Sequence, residues 1–421
     1  MAVVSGTCTD LTGTAQTLAD AGAAAMVAYA AAGHECAGTI DGPVELPTLQ
    51  AKPWDARALL AARGGRAELV THSSPAYLYD LVHFWGDGVP NGGTVRGTGK
   101  SVAALVEHYR GMGSTGADGL QAVEELVGWI PERGGVANIG LNRAVPFPTT
   151  VTHYVSTGAV WERTVAIQDA QYGGEYGRLY APRRTYVGGS TTHDTWFGGP
   201  IGSRVSPLAS VTNGNPPPTR EENDLYLSMG AFTDAAGHLA NSDIFSSEYN
   251  GKIYVDGELA HDIFASVFMN TAIPEGDHRI RVVTDIQRQN LFWQRSTAIK
   301  TEWAFESAQP TGAVQVLPML GIDYVMPLSS TNTAPAGRYD FTIRFSMPDT
   351  VEMLPIVKRS IDVSWDGGQT WSPATTRCGD TSCKVQVRNK AGGHASLRVS
   401  ATDTAGRTVT QEVTDAYAVR R

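Results

Sequence analysis

Alternation of apolar and polar residues dominates the chain from about residue 150 to its end. The segment GRYDFTIRFSM at 337–347 and the segment HASLRVSATD at 394–403 both place an apolar residue at nearly every second position. Turn residues separate such runs at fairly regular intervals, which favours antiparallel β-sandwiches over parallel sheets. The pattern predicts two sandwich domains, 150–310 and 311–421, and the second has the style of a fibronectin-III or immunoglobulin domain.

Helical spacing is concentrated in the first 72 residues. Leu11, Ala15 and Leu18 recur at helical intervals, and Gly22 can end that helix. The whole segment predicts the order β-α-β-β-α-β, with strands at 24–29, 46–51 and 66–72 and a second helix that begins near Pro53 and ends at Gly64–Gly65. These residues are therefore predicted to form a small α/β domain.

Residues 73–149 give a mixed pattern and are interpreted as a connecting region. Val102, Leu105, Val106 and Tyr109 have helical spacing, but Gly and Pro interrupt the pattern often. The sequence therefore predicts an α+β protein overall, in which the small α/β domain at 1–72 precedes mainly-β antiparallel sandwich domains.

Composition narrows the class of partner. The chain has 421 residues, of which 18% are charged, and its net charge is −9. It contains neither a basic run nor an aromatic stripe interleaved with Lys or Arg, so nucleic acid is not an expected partner. No apolar stretch is long enough to predict a membrane span.

The four cysteines fall into two local pairs, Cys8 with Cys36 and Cys378 with Cys383. Paired cysteines favour disulfides and an extracellular, oxidising location, and the alternative is that all four are free buried thiols. The first residues show no signal peptide. The sequence therefore predicts that export information has been lost or that the chain is a piece of a longer protein.

The first 72 residues resemble the protease-associated domain, although an unrelated small α/β domain is the alternative. The resemblance rests on a combination of short motifs: Gly6-Thr7-Cys8, Ala21-Gly22-Ala23, Met26-Val27-Ala28-Tyr29, Leu46-Pro47-Thr48-Leu49 and Leu59-Leu60. The family has strands before Gly-x-Cys, whereas only Val3-Val4 remains here. The resemblance implies an N-terminally truncated module that influences substrate access or protein contacts and carries no catalytic group.

Nearly the whole chain resembles the C-terminal region of large secreted bacterial subtilisin-like serine peptidases. The phrases that carry this resemblance are YLYDL at 77–81, TDAAGH at 233–238, TEWAFES at 301–307, LPMLGIDYVMPL at 317–328 and SWDGGQTW at 364–371. The resemblance implies that the β-sandwiches accompany a peptidase catalytic domain, upstream or separate, and its protein substrates.

No catalytic constellation is recognisable in the sequence. The Asp, His and Ser motifs of subtilisin-like peptidases are absent. Ser114 does not stand in a nucleophile elbow, and Asp403 falls in a hairpin turn. No metal-binding spacing such as HExxH occurs, and neither a cofactor nor a metal is expected.

Residues 364–371 fit the Asp-box pattern, for which a structural turn is expected rather than a sialidase site. Its members are Ser364, Asp366, Gly368, Thr370 and Trp371. The tryptophans could stack on sugars, but core packing is the expected role of Trp161, Trp196, Trp293 and Trp303.

Two functions remain open from the sequence. The first is a non-catalytic accessory region of a secreted subtilisin-like serine peptidase. The alternative is a free-standing extracellular binding or adhesion protein whose β-sandwich modules recognise glycan or protein. Enzymatic activity of this chain alone is not expected.

Overall fold

The fold is taken from a computed structural model, which divides the chain into two units, Met1–His72 and Ser73–Arg421. The described residues are 2–6, 11–30, 46–50, 60–61, 77–80, 99–129, 141–169, 174–205, 217–240, 247–264, 268–288, 290–312 and 314–421.

The first unit contains a parallel sheet in the order β1-β2-β3, with a helix between the first two strands. Leu11 and Ala15 of that helix are buried against Met26 and Ala28, and Gly22 follows the helix with φ of 81°. Of the second predicted helix, Leu60 and Ala61 are helical, whereas its remainder and the predicted strand at 66–72 lie outside the described residues. The elements are β1 (Ala2–Gly6), α1 (Leu11–Asp20), β2 (Met26–Ala30) and β3 (Thr48–Gln50).

The second unit consists of strands apart from one 3-10 turn among its described residues. Its first half contains β4 (Tyr77–Asp80), β5 (Val102–Tyr109), the 3-10 turn (Gly116–Asp118), β6 (Leu120–Trp129), β7 (Leu141–Val145), β8 (Thr149–Ser156), β9 (Val160–Asp169), β10 (Glu175–Arg184), β11 (Thr191–Trp196), β12 (Gly202–Val205), β13 (Thr219–Glu221), β14 (Asp224–Thr233) and β15 (Leu239–Ala240). Its second half contains β16 (Ser247–Val255), β17 (Glu258–Phe264), β18 (Phe268–Ala272), β19 (His278–Arg288), β20 (Ala298–Ser307), β21 (Gln315–Val316), β22 (Gly321–Val325), β23 (Thr333–Ala334), β24 (Gly337–Ser346), β25 (Ile356–Ser364), β26 (Ser372–Pro373), β27 (Thr375–Cys378), β28 (Ser382–Asn389), β29 (His394–Asp403) and β30 (Thr408–Val419).

Four sheets are formed by the described strands of the second unit. A ten-stranded sheet has the central order β21-β13-β14-β15-β10-β9-β6-β7, and the β5 sheet has the order β11-β5-β8-β4. A nine-stranded sheet has the central order β17-β16-β19-β20-β30-β29-β25-β26, and the β24 sheet has the order β22-β24-β28-β27. The chain is therefore of the β-sandwich class.

The α+β class predicted from the sequence is wrong. The structure is about 60% strand and 5% helix. Among the described residues, α1 is the α-helix whose two ends are defined. The predicted class rested on the helices expected in residues 1–72, whereas strands make up most of the structure. Residues 102–109, which give a mixed pattern in the sequence, form β5, with Leu105 and Tyr109 buried and Val102 and Val106 on the opposite face. Pairing of β5 with β8 and β11 overrides the local pattern.

Strand pairing runs across residues 149 and 310, where the sequence predicts domain boundaries. Strand β6 pairs with β9 along ten residues, and β5 pairs with β8. Strand β20, which ends at Ser307, pairs with β30 near the end of the chain. Residues on both sides of each predicted boundary therefore share sheets.

Two sandwiches provide the cores of the second unit. In the first, the β5 sheet faces β6, β9 and β10 of the ten-stranded sheet, and Leu105 packs in one cluster with Leu126 and Trp161. In the second, Phe341 and Val385 of the β24 sheet belong to a cluster that includes the nine-stranded sheet. Each sandwich buries the apolar alternation of its strands, as two-layer packing requires.

A buried arginine on β13, a short strand of the ten-stranded sheet, joins this strand to the end of β20 and to the turn before β19. The Arg220 guanidinium donates to the carbonyl oxygens of Ser307, Ala308 and Gly276 at 2.9, 3.2 and 2.8 Å. Its Nη2 also donates to Gln309 Oε1 at 2.9 Å. The planar fork of arginine suits such a set of acceptors, and lysine could not reproduce it.

Replacement of this arginine is expected to destabilise the second unit. Arg220→Met should lower the free energy of unfolding by about 2–3 kcal/mol, because the buried Ser307 carbonyl and two partly buried carbonyl groups lose their donor. Urea unfolding monitored by tryptophan fluorescence measures the change. The matched control is Arg279→Met, whose guanidinium is exposed and lies 3.6 Å from Glu306, and which should change stability by less than about 1 kcal/mol. Equal effects of the two substitutions would contradict the assignment.

Candidate functional site

The most concentrated cluster of ionisable groups lies inside the first sandwich. Each of five strands places one charged or titratable side chain at an inward position: Glu107 in β5, Glu124 in β6, His153 in β8, Arg163 in β9 and Asp194 in β11. Their exposed fractions lie between 0 and 7%. Together with Arg143, Asp234 and His238, these residues are called the ionic layer below.

Glu107 lies at the centre of the ionic layer. Its carboxylate accepts hydrogen bonds from Tyr109 Oη at 2.8 Å and from Trp196 Nε1 at 2.9 Å. Arg163 Nη1 contacts Glu107 Oε1, and Arg163 Nη2 donates to Asp194 Oδ2 at 2.5 Å. A single guanidinium from the ten-stranded sheet thus bridges two carboxylates of the β5 sheet.

His153 connects the two glutamates of the ionic layer. Its Nε2 lies 3.2 Å from Glu107 Oε2 and 3.5 Å from Glu124 Oε2. Arg143 Nη2 lies 3.7 Å from Glu124 Oε2 on the outer side of the layer. Basic and acidic side chains therefore alternate from Arg143 inward through Glu124 and His153 to Glu107.

His238 extends the ionic layer at its other end. Its Nδ1 lies 2.8 Å from Asp234 Oδ2, its Nε2 lies 3.2 Å from Asp194 Oδ1, and its ring stacks on Trp196 at a centroid distance of 3.9 Å. Asp234 also accepts from the backbone N–H groups of Ala236 and His238 at 3.1 and 3.0 Å. The sequence TDAAGH forms this turn because an aspartate side chain can accept from the backbone two and four residues ahead.

The two carboxylates control the ionisation of His238. Burial alone would lower the pKa of His238, but the charges of Asp234 and Asp194 outweigh it and raise the pKa to about 9. Burial would likewise raise the pKa of Asp194, but His238 and Arg163 hold it well below its usual range. The geometry therefore favours an imidazolium between two carboxylates.

Each carboxylate of the ionic layer lies beside a basic side chain. Four carboxylates (Glu107, Glu124, Asp194 and Asp234) face two guanidinium groups (Arg143 and Arg163) and two histidines (His153 and His238). Apolar side chains enclose the layer on both sides, with the Leu105 cluster on one side and the Tyr109 cluster on the other. Such burial is tolerated only where each charge has a partner.

Among the described residues, one group of side chains has the spacing of metal ligands. It consists of Glu107, Glu124 and His153. Their ligand atoms all lie within 4.8 Å of one another, and carboxylate plus imidazole donors suit zinc and similar ions. The guanidinium of Arg163 already contacts Glu107, and that of Arg143 lies beside Glu124. Two cations beside the donors disfavour a divalent ion, so these residues fit an ionic network better than a metal centre.

The cysteine pair near the C-terminus forms a disulfide. Cys378 and Cys383 are direct partners in the β27–β28 hairpin, and their Cα atoms lie 4.0 Å apart. Cys8 and Cys36 lie outside the described residues.

The Asp-box residues form one hydrogen-bonded turn after β25. Asp366 accepts from Ser364 Oγ at 2.7 Å and from Thr370 Oγ1 at 2.5 Å, and Ser364 Oγ accepts from the Gly368 N–H at 2.9 Å. The Thr370 hydroxyl is the main cause that holds the pKa of Asp366 below its usual range. Gly368 has φ of 91°, and Trp371 lies under the Arg398 guanidinium at 4.6 Å. The geometry is that of a structural clasp.

The remaining sequence candidates are buried or engaged. Ser114 Oγ donates to the Phe292 carbonyl at 3.2 Å, and Asp403 pairs with Arg407 Nε at 2.5 Å in a hairpin turn. The four tryptophans considered for sugar stacking are at most 2% exposed and pack in the cores: Trp161, Trp196, Trp293 and Trp303.

No motif in the sequence marks the ionic layer. The usable signal is a charged residue at an inward position of an alternating strand, as in Ala103-Leu105-Glu107-Tyr109. The mixed pattern of 102–109 hides this signal, because helical spacing coincides there with alternation and Glu107 would fall on a different face in a helix.

Comparisons with known proteins add little to this geometry. No protein-family model and no curated protein matches the chain. A chimeric titin Z1Z2-Z1Z2 tandem carrying a fibronectin peptide shares 12% identity over 49% of this chain and 92% of its own, with a TM-score of 0.19. A polysaccharide lyase shares 8% over 70% of this chain and 39% of its own, with a TM-score of 0.17.

Extracellular domains 3–5 of Drosophila OTK share 7% identity over 76% of this chain and 96% of their own, with a TM-score of 0.15. TM-scores this low support no assignment of function. Within the described residues, no helix has the length and apolar character needed to cross a membrane.

The central ion pair is expected to show strong energetic coupling. Glu107→Leu and Arg163→Met should each destabilise the second unit by about 3–5 kcal/mol, because each leaves a buried charge without its partner. The double variant should lose clearly less free energy of unfolding than the two single variants lose together. Urea unfolding at pH 7 measures the cycle, and Arg279→Met with Glu306→Leu on the surface is the control. If the losses of stability at 107 and 163 were additive, the two side chains would not interact as the ionic layer requires.

Loss of the proton from His238 is expected to lower the free energy of unfolding at alkaline pH. Because its pKa is raised from 6.5 to about 9 in the folded chain, its stabilisation is complete below pH 6.5 and is lost as the pH rises through 9. The wild type should lose about 3 kcal/mol over that window. His238→Gln should flatten the pH profile of urea unfolding, whereas His261→Gln, on β17, should leave it as in the wild type. A profile unchanged by His238→Gln would refute this role.

Proposed function

We propose that this chain is a non-catalytic extracellular accessory region that serves a subtilisin-like serine peptidase catalytic domain located elsewhere. The β-sandwiches supply a rigid body, and residues 1–72 contribute substrate access or protein contact. The phrases shared with the C-terminal regions of such peptidases support this proposal, as does the absence of their catalytic motifs from the sequence.

Burial of the central histidine–carboxylate pairs is the main structural support for a non-catalytic role. His238 with Asp234 and His153 with Glu107 resemble the acid–base pairs of hydrolases, but all four residues are at most 5% exposed. Substrate must come within hydrogen-bonding reach of a general base. These pairs are therefore assigned to holding the sandwich together.

Two features of the structure support an extracellular location. The disulfide between Cys378 and Cys383 and the β-rich fold agree with an extracellular environment, since such bonds persist under oxidising conditions. An accessory region outside the cell would work beside a secreted enzyme.

Native protein isolated from culture medium tests the proposal. An antibody against residues 321–421 should capture a subtilisin-like catalytic domain, either on the same polypeptide or in stoichiometric complex, and mass spectrometry identifies it. Capture blocked by excess purified chain is the control. The purified chain alone should not react with a fluorophosphonate probe, with Ser114→Ala as the matched variant. Recovery of this chain alone, or labelling of the purified chain, would contradict the proposal.

A further inference from the structure

The outward face of the β24 sheet is basic, although the chain as a whole carries a net charge of −9. Alternate residues of β22, β24 and β28 point away from the core, and all of β27 is exposed. Five cations and two carboxylates lie on this cationic face: Arg338, Arg344, Arg377, Lys384, Arg388, Asp323 and Asp340. The excess is therefore three positive charges.

Cations lie directly opposite cations on the cationic face. Arg338 of β24 is in register with Arg388 of β28, and Arg377 of β27 is in register with Lys384 of β28. Like charges directly across a strand pair destabilise a sheet. The second pair stands next to the Cys378–Cys383 disulfide, which holds the β27–β28 hairpin closed beside this repulsion.

The carboxylates of the cationic face are already engaged. Asp340 lies 3.2 Å from Arg338 Nε and accepts from Gln386 Nε2 at 2.7 Å, while Asp323 pairs with Arg204 at 2.7 Å. Within the described residues, no ion pair is formed by Arg344, Arg377, Lys384 or Arg388. The charge of this face is therefore left largely uncompensated by the described part of the chain.

The nine-stranded sheet shows the contrary arrangement on its outward face. Five residues in register across neighbouring strands alternate in sign: Asp285, Lys300, Glu412, Arg398 and Asp362. Arg398 lies 3.4 Å from Asp362 and 3.8 Å from Glu412. One sheet thus neutralises its surface with its own residues, while the other accumulates positive charge.

A groove of about 410 Å³ crosses the cationic face. Arg338, Arg377 and Lys384 line it together with hydroxyl and amide side chains such as Thr342 and Gln386. The carboxylate of Asp340, already bonded to Arg338 and Gln386, and the buried ring of Phe341 complete the lining. Guanidinium and ammonium groups bind sulfate and carboxylate, and the neutral polar groups can bond sugar hydroxyls.

The side chains on this face decide between classes of anionic polymer. The outward residues of β24 and β28 include no aromatic ring, so bases would find nothing to stack on. They also include no large apolar side chain, and the exposed Val325 lies on the edge strand β22, whereas the centre of a protein interface usually has a cluster of such side chains. A polyanion without bases or an apolar core fits best.

We propose that the cationic face binds an anionic polysaccharide, whose sulfate or carboxylate groups contact the Arg377–Lys384 and Arg338–Arg388 pairs. The sulfate or carboxylate groups of the ligand would lie between the two cations of each pair and reduce the repulsion between them. This binding does not depend on the presence of a peptidase partner.

Calorimetric titration of the full chain with heparin and with polygalacturonate tests the proposal, with neutral dextran as the negative control. Binding to at least one polyanion is expected, and it should weaken as salt screens the charges. The double variant Arg377→Gln/Lys384→Gln should bind about tenfold more weakly or worse, because two charged contacts are lost. The matched control Lys252→Gln/Lys300→Gln removes the same charge from the nine-stranded sheet and should bind as the wild type does.

Thermal unfolding separates binding from folding. The variant at 377 and 384 should melt at or above the wild-type temperature, because a repulsive pair has been removed. If it melts lower, Arg338→Gln/Arg388→Gln repeats the test at the other pair. No binding to either polyanion, equal loss in the control variant, or tighter binding of single-stranded DNA would each overturn the proposal.

Discussion

The contact of Arg163 with Glu107 and Asp194 is the constraint on which the first sandwich depends. The guanidinium belongs to the ten-stranded sheet, and both carboxylates belong to the β5 sheet. A buried guanidinium is tolerated only with its carboxylates in place, so this contact fixes how the two sheets face each other. A shift of one residue in β9 would turn Arg163 to the opposite face and leave two carboxylates buried without it.

Electrostatic compensation differs between the inside and the outside of the molecule. In the ionic layer, each buried carboxylate lies beside a cation, and the outward row of the nine-stranded sheet repeats this alternation between Asp285 and Asp362. The cationic face departs from this rule, because Arg377 lies opposite Lys384. Charge that is unbalanced on a water-exposed face is tolerable to the fold and is available to a ligand.

The sequence predicted much of the second half of the fold. Strict alternation in 337–346 and 394–403 marked β24 and β29, and the local pairing of Cys378 with Cys383 favoured the disulfide that the structure contains. The α+β class was wrong, because it gave the α/β character of the first 72 residues too much weight in a chain that is mostly strand. The pattern at 102–109 was ambiguous, because helical spacing there coincided with alternation. Strand pairing with distant residues resolved that ambiguity, and local propensity could not.

The sequence by itself determined the local features of this protein. Alternation set which residues of each strand can share a face, and short polar patterns set the turns at 234–238 and 364–370. Only the tertiary structure decided which charges meet. Glu107, His153, Asp194 and His238 come from separate strands or turns, and their contacts depend on two sheets being stacked. The physical reason is that a buried charge requires a partner in space, which need not be near it in sequence.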